Sequence, residues 1–226
     1  MTFSIVARCE RTGMFGVSVC SSSPAVGGRC GFARAGVGAA ASQNISDPAL
    51  GEVLIDAMAQ GQGAADAMRA LTAARPHIAY RQLIAVDARG ETAAFSGART
   101  LGVHATARDR NVAAAGNLLA SKDAPSAMVA AFLASAGPLG ERLIGAMRAA
   151  MATGGEAGPV HAIGLKVVDK LSWPIVDLRV DWAEDTPIDR LQDLWNLYAP
   201  LADDYVTRAV DPERAPSFGV PADPAP

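Results

Sequence analysis

Met1-Thr2-Phe3-Ser4-Ile5-Val6-Ala7-Arg8 opens the chain, and an alternating strand begins in it at the second residue. Phe3, Ile5 and Ala7 fall on one face and Thr2, Ser4, Val6 and Arg8 on the other, because side chains on a strand alternate. No signal peptide, linker or disordered lead is expected ahead of this strand. Removal of Met1 makes Thr2 an N-terminal threonine on a strand, with a hydroxyl and a free α-amine in one residue. The amine accepts the hydroxyl proton, so that one residue supplies both nucleophile and base for amide cleavage. Threonine is small enough for an aminopeptidase to remove the methionine before it. The competing reading is an ordinary strand that follows Met-Thr.

Residues 15–21 return as a second strand and close a hairpin over the turn from Glu10 to Gly13. Residues 22–31 read as a Ser/Gly/Pro loop, and residues 35–42 as a third strand of small side chains. Asp47-Pro48 has the form of a helix cap with proline in the first turn. Leu50, Val53, Leu54, Ala57 and Met58 then recur at helical spacing up to Gly61, and a second helix covers about residues 64–74. A further hairpin joins residues 81–87 to 92–96, and a strand near 111–115 runs into Gly116-Asn117. Helices follow over about 124–135 and 138–153, then strands over 160–169 and 175–180, then a last helix with Ile188, Leu191, Trp195 and Tyr198 on one stripe.

Strands in hairpin runs with helices arriving in pairs predict an α+β fold, two antiparallel sheets with a helix layer outside each. Residues 1–200 form the expected single domain, and residues 201–226 a Pro-rich arm, extended or partly disordered. A dinucleotide fold is not expected, since Gly36-Val37-Gly38 lacks the third glycine of that fingerprint.

A chain of 226 residues with half its side chains apolar buries a full core without metal or disulfide staples. The net charge of −3, with no Lys/Arg run, argues against nucleic acid and anionic membranes as partners. No apolar run is long enough to span a bilayer. Cys9, Cys20 and Cys30 form no CxxC pair, which fits a reducing cytoplasm better than a disulfide framework. His77, His104 and His161 have no zinc-motif spacing, and no cofactor or metal is expected.

A threonine nucleophile needs an oxyanion hole and a pocket. Gly116-Asn117, after a strand, offers backbone N–H groups and a side-chain amide for the first, although a plain Gly-Asn turn reads the same way. Ser22 and Ser23, Arg34, Gln43 and His161 are the candidate substrate contacts. Each has a plainer reading, as a solvated loop, a surface arginine, a helix-entry amide or a satisfied structural histidine. A third reading makes Cys20 or Cys30 the nucleophile, with Arg29 lowering the Cys30 pKa.

The opening octapeptide belongs to a larger set of stretches: Gly16-Val17-Ser18-Val19, Ala33-Arg34-Ala35-Gly36-Val37-Gly38-Ala39, Tyr80-Arg81-Gln82-Leu83, Val86-Asp87, Phe95-Ser96-Gly97-Ala98 and Ala115-Gly116-Asn117-Leu118-Leu119. Together they resemble a bacterial family, domain-of-unknown-function family 1028, which is classed with the N-terminal-nucleophile hydrolases. The resemblance spans about residues 2–180. It implies a four-layer αββα sandwich and an amide hydrolase. It carries the nucleophile role to Thr2 and an oxyanion role to Gly116 and Asn117. Gly154-Gly155-Glu156-Ala157-Gly158-Pro159-Val160-His161 departs from the family's pattern, so a contact made there by the wider family is altered or lost. The expected activity is hydrolysis of a small amide through an acyl-enzyme. The alternative is a non-catalytic small-molecule binder or assembly protein on the same scaffold. Leu194 and Leu197 widen the apolar face of the last helix, and the arm adds Tyr205, Val206, Phe218 and Val220. These predict a homodimer or larger homo-oligomer.

Overall fold

Residues 1–217 are described by the structure, a computed structural model. Thr2–Arg8 (β1) and Phe15–Ser21 (β2) form the opening hairpin. A short helix, Gly27–Cys30 (α1), leads into Gly31–Arg34 (β3), which turns back as Gly38–Asn44 (β4). Pro48–Ala59 (α2) is capped by the Asp47 carboxylate, which accepts from the Ala49 N–H, and Ala64–Ala74 (α3) follows. Four strands come next: Arg81–Asp87 (β5), Thr92–Ser96 (β6), Ala105–Asp109 (β7) and Val112–Asn117 (β8). Then come Ala124–Ala134 (α4), Leu139–Ala152 (α5), Ala162–Val168 (β9), Val176–Val180 (β10), Pro187–Tyr198 (α6) and Ala202–Val210 (α7).

The strands make two antiparallel sheets, one in the order β10-β9-β2-β1-β8-β7 and the other β3-β4-β5-β6. The period of two on β1 decides what lies on each side. Phe3, Ile5 and Ala7 join Met128, Phe132, Leu143 and Met147 of α4 and α5 in one core. Val6, with Val17 and Val19, packs on Ala39, Ala41, Ile84 and Val86 of the other sheet. The outer face of that second sheet carries Ala40, Leu83 and Ala85 beneath Leu50, Leu54, Met68 and Leu71 of α2 and α3. Fully burying a side chain the size of Phe3 or Ile5 is worth about 1.5–3 kcal/mol, so these faces, rather than local propensity, fix the register. On α6, Ile188, Leu191 and Trp195 are buried, with Trp195 lying over Gly140 of α5.

Four expectations are corrected. Within the loop expected over residues 22–31, residues 27–30 form α1, and β3 starts at Gly31. The third predicted strand starts later and is β4. Edge strand β7 was not anticipated, because Ala105-Thr106-Ala107-Arg108-Asp109 alternates only alanine with polar side chains and carries no large apolar residue. Ala202–Val210 of the predicted extended arm is helical, and Tyr205 stacks on Tyr198 of α6 with ring centroids 5.6 Å apart. Phe218, Val220 and the rest of the arm's end lie outside the described residues. Among the described residues no helix is long and apolar enough to cross a membrane.

Candidate active site

Thr2 begins β1, and its directly paired neighbour on β8 is Asn117. The β1–β2 register, which pairs Phe3 with Cys20, places Ser21 beside Thr2 on the other flank, and Ser21 in turn pairs with Ala162 of β9. Directly paired residues share a face. Asn117, Thr2, Ser21 and Ala162 therefore form one row across the six-stranded sheet, on the face turned to the second sheet. The Thr2 and Ser21 hydroxyl oxygens lie 3.3 Å apart, and each hydroxyl donates to the carbonyl oxygen of Met1. The Ser23 N–H donates to Ser21 Oγ at 3.1 Å and holds that rotamer. With Met1 over it, Thr2 is 6% exposed.

A buried polar chain ties the row to the second sheet. Ser4 Oγ donates to Gln43 Oε1 at 2.6 Å, and Gln43 Nε2 donates to Gln82 Oε1 at 2.8 Å. Asn117 Nδ2 donates to the same Gln82 oxygen at 3.2 Å. Gln82 Nε2 donates to the Gly116 carbonyl and to Ser96 Oγ, both at 3.0 Å. Polar groups this deeply buried are costly unless paired, so the chain fixes both the spacing of the sheets and the orientation of Asn117. The Asn117 amide has two N–H groups, and its bond to Gln82 uses one.

The loop between α5 and β9 closes the site. Gly154 and Gly155 both take positive φ, which turns the loop back on the chain. Ala120 N–H donates to Gly155 O and Ala157 N–H to Leu118 O, stitching the loop to the segment after β8. This brings Glu156 to 4% exposure against the serine run, where the Ser22 N–H donates to Oε2 at 3.1 Å. Its other oxygen, Oε1, is buried without a hydrogen-bond partner among the described residues. Burial raises the Glu156 pKa to about 7, against the downward pull of the Met1 amine and the Ser22 N–H. Two residues on, the Met1 side chain lies over Gly158, where a Cβ would stand 2.8 Å from Met1 Cε.

The structure gathers some of the expected site residues and separates others. Thr2, Asn117, Ser22 and Ser23 come together. Gly116 is adjacent, with its carbonyl held by Gln82 and no room for a Cβ, which would reach 2.6 Å from Leu119 Cδ2. Gln43 is a strut between the sheets, its oxygen and nitrogen both bonded and none of it exposed, which corrects its assignment as a substrate contact. Arg34 is corrected as well. It pairs with Asp56 at 2.9 Å and Glu52 at 3.7 Å on α2. It also sits opposite Gly38, at the far end of β4 from Gln43. At ~3.3 Å per residue that end is roughly 17 Å away. His161 donates its backbone N–H to Ser21 O at 3.0 Å. Its ring is occupied elsewhere, with Nδ1 2.7 Å from the Ala183 carbonyl and the face stacked on Trp182 at 4.3 Å. Burial raises the Cys20 and Cys30 thiols, which works against a cysteine nucleophile. Glu156 and Ser21 are site residues that the sequence patterns did not single out. The available signal for Glu156 was a lone acid straight after Gly154-Gly155.

Residues 2–191 match the model of a family of unknown function, DUF1028. Among solved structures the chain is similar to protein SPO2555 from Silicibacter pomeroyi, of the same family model, at 30% identity. That match covers 90% of this chain and 94% of that one, with a TM-score of 0.82. It is also matched to Anbu (ancestral beta-subunit) from Yersinia bercovieri, at 11% identity over 90% of this chain and 96% of that one, TM-score 0.41. A third match is the Anbu (Gly-1) mutant from Hyphomicrobium sp. strain MC1, at 12% identity over 91% and 99%, TM-score 0.41. No curated protein matches the chain.

Proposed function

This chain belongs to the DUF1028 family, whose function is unknown, and we propose that it is an N-terminal-threonine amidohydrolase for small amides. The observation that carries the reading is the convergence of the Thr2 and Ser21 hydroxyls on one amide carbonyl oxygen, that of Met1. An amide carbonyl in that place stands in for a substrate. We read the order of the three cores, helices on each outer face and two sheets between them, as an αββα sandwich of the N-terminal-nucleophile type.

Once Met1 is removed, the Thr2 nitrogen is a free amine. Thr2 Oγ attacks the substrate carbonyl carbon and its proton passes to that amine. The carbonyl π pair moves to oxygen, and the oxyanion accepts from the Ser21 hydroxyl and the second Asn117 N–H. Collapse breaks the C–N bond, the α-amine returns the proton to the leaving nitrogen, and an ester on Thr2 remains. Water then adds to the ester, giving its proton to the α-amine. Thr2 Oγ leaves with that proton, and the carboxylic acid departs. Preorganised donors of the Ser21 kind supply ~2.7–4 kcal/mol each, because they need no reorganisation as charge develops.

Residues 1–200 act as the catalytic domain in this reading, and the arm beyond belongs to assembly. Leu194 and Leu197 of α6 remain 37% and 72% exposed and offer a face for a second copy, giving a homodimer or larger homo-oligomer. The three free cysteines fit a cytoplasmic setting.

The test is a panel of small amides, ureides and lactams on protein whose intact mass shows Met1 absent. Turnover that disappears in Thr2→Ala supports the reading, and equal turnover in both rejects it. Complete retention of Met1 in protein from the native host favours the alternative, a non-catalytic binder.

A further inference from the structure

Met1 occupies more than the carbonyl position in front of Thr2. Its carbonyl oxygen takes the two hydroxyl donors, and its thioether lies over Gly158 with no side chain from that residue to displace. The same loop presents Glu156, buried, held through Oε2 by the Ser22 N–H and carrying an Oε1 that nothing among the described residues satisfies. The charge of the Met1 α-amine is among the influences that favour the ionised Glu156 carboxylate, although the amine does not itself meet Oε1. Carbonyl and side chain of one aminoacyl group thus each have a counterpart, and beside them Glu156 Oε1 remains unpartnered. In the acyl-enzyme the acyl carbon sits on Thr2 Oγ instead of Thr2 N, two atoms of one residue. An acyl group moved between them stays in the same enclosure.

We propose that the space filled by Met1 is the acyl subsite of the processed protein. It takes α-aminoacyl amides, with an unbranched apolar side chain over Gly158 and a free α-ammonium met by the unpartnered oxygen of Glu156. A buried carboxylate oxygen without a donor is costly, and an ammonium satisfies both its charge and its hydrogen-bonding capacity. An acyl group lacking the amine leaves that oxygen as it is in the empty site, so the subsite discriminates against it. The identity of the scissile bond rests on the Thr2 reading, whereas the binding preference does not.

Thr2→Ala protein with Met1 removed separates the two, since it binds without turning over. Titration calorimetry with L-methioninamide and its deamino counterpart, 4-(methylthio)butanamide, measures the preference directly. We expect the amine-bearing ligand to bind about ten-fold tighter or more, and the difference to vanish in Thr2→Ala/Glu156→Gln. Gly158→Val places a side chain in the thioether position and should weaken L-methioninamide by a similar factor. Equal affinity for the two ligands, a preference that survives Glu156→Gln, or no binding of either overturns the subsite. Binding as expected together with a wild-type protein that turns over no aminoacyl amide leaves the subsite standing and rejects the Thr2 chemistry.

Discussion

Replacing Glu156 with glutamine should make the protein more stable, and by an amount that depends on pH. Burial moves this carboxyl from 4.5 to about 7. The folded chain therefore keeps a proton through that window which the unfolded chain gives up. Where the folded state binds more protons, the free energy of unfolding falls as pH rises. The carboxyl's favourable balance is whole below 4.5 and is lost as pH climbs through about 7. At ~1.36 kcal/mol per unit the full swing is roughly 3 kcal/mol. Glutamine keeps the shape and an acceptor for the Ser22 N–H but has no charge to desolvate. Glu156→Gln should thus match wild type near the acid end of the window and exceed it by roughly 2–3 kcal/mol above the upper end. In a chain of this size that corresponds to about 5–10 °C in Tm. Urea denaturation of both proteins across the window measures it. A difference that stays constant with pH, or one that grows as pH falls, refutes the assignment of a buried, proton-holding Glu156.

Gln82→Met removes the hub of the inter-sheet chain and strands the Gln43 and Asn117 amides and the Gly116 carbonyl. At about 1–3 kcal/mol for each of these three buried groups, chemical denaturation should show a loss of roughly 3–9 kcal/mol, and a loss under about 1 kcal/mol contradicts the strut. Ser21→Ala and Asn117→Ala should each lower turnover by about 10²–10³-fold with the far-UV spectrum unchanged, and wild-type turnover in either removes that donor from the mechanism. Light scattering of the full chain at micromolar concentration should report a dimer or larger, with Leu197→Asp shifting it toward monomer; a monomeric wild type sinks the assembly reading.

Strong periodicity made most of the scaffold legible. The alternation in β1, the Asp47-Pro48 cap and the stripe on α6 are each dictated by side chains whose burial is worth more than any local alternative. β7 and β3 escaped because one is a polar edge strand and the other has only four residues. Their pairing comes from neighbours rather than from their own pattern. Within the site, Thr2 and Asn117 were readable as a strand start and a strand end, but their direct pairing is a property of register. Arg34 and Gln43 illustrate the opposite failure: polar residues flanking a small-residue strand are equally placed for a pocket, a helix-facing ion pair or an internal strut, and here they make the last two. Glu156 gave no spacing signal, since its burial follows from a loop folded back by two glycines.

Covalent trapping shows whether Thr2 Oγ is the nucleophile. Protein shown by intact mass to lack Met1 is incubated with a β-lactone acylating reagent, digested, and the peptides are weighed. One adduct is expected, on the N-terminal peptide at Thr2, absent from Thr2→Ala protein. A fully processed protein that acquires no adduct there, or acquires it on Cys30 while Thr2 stays unmodified, contradicts Thr2 as nucleophile.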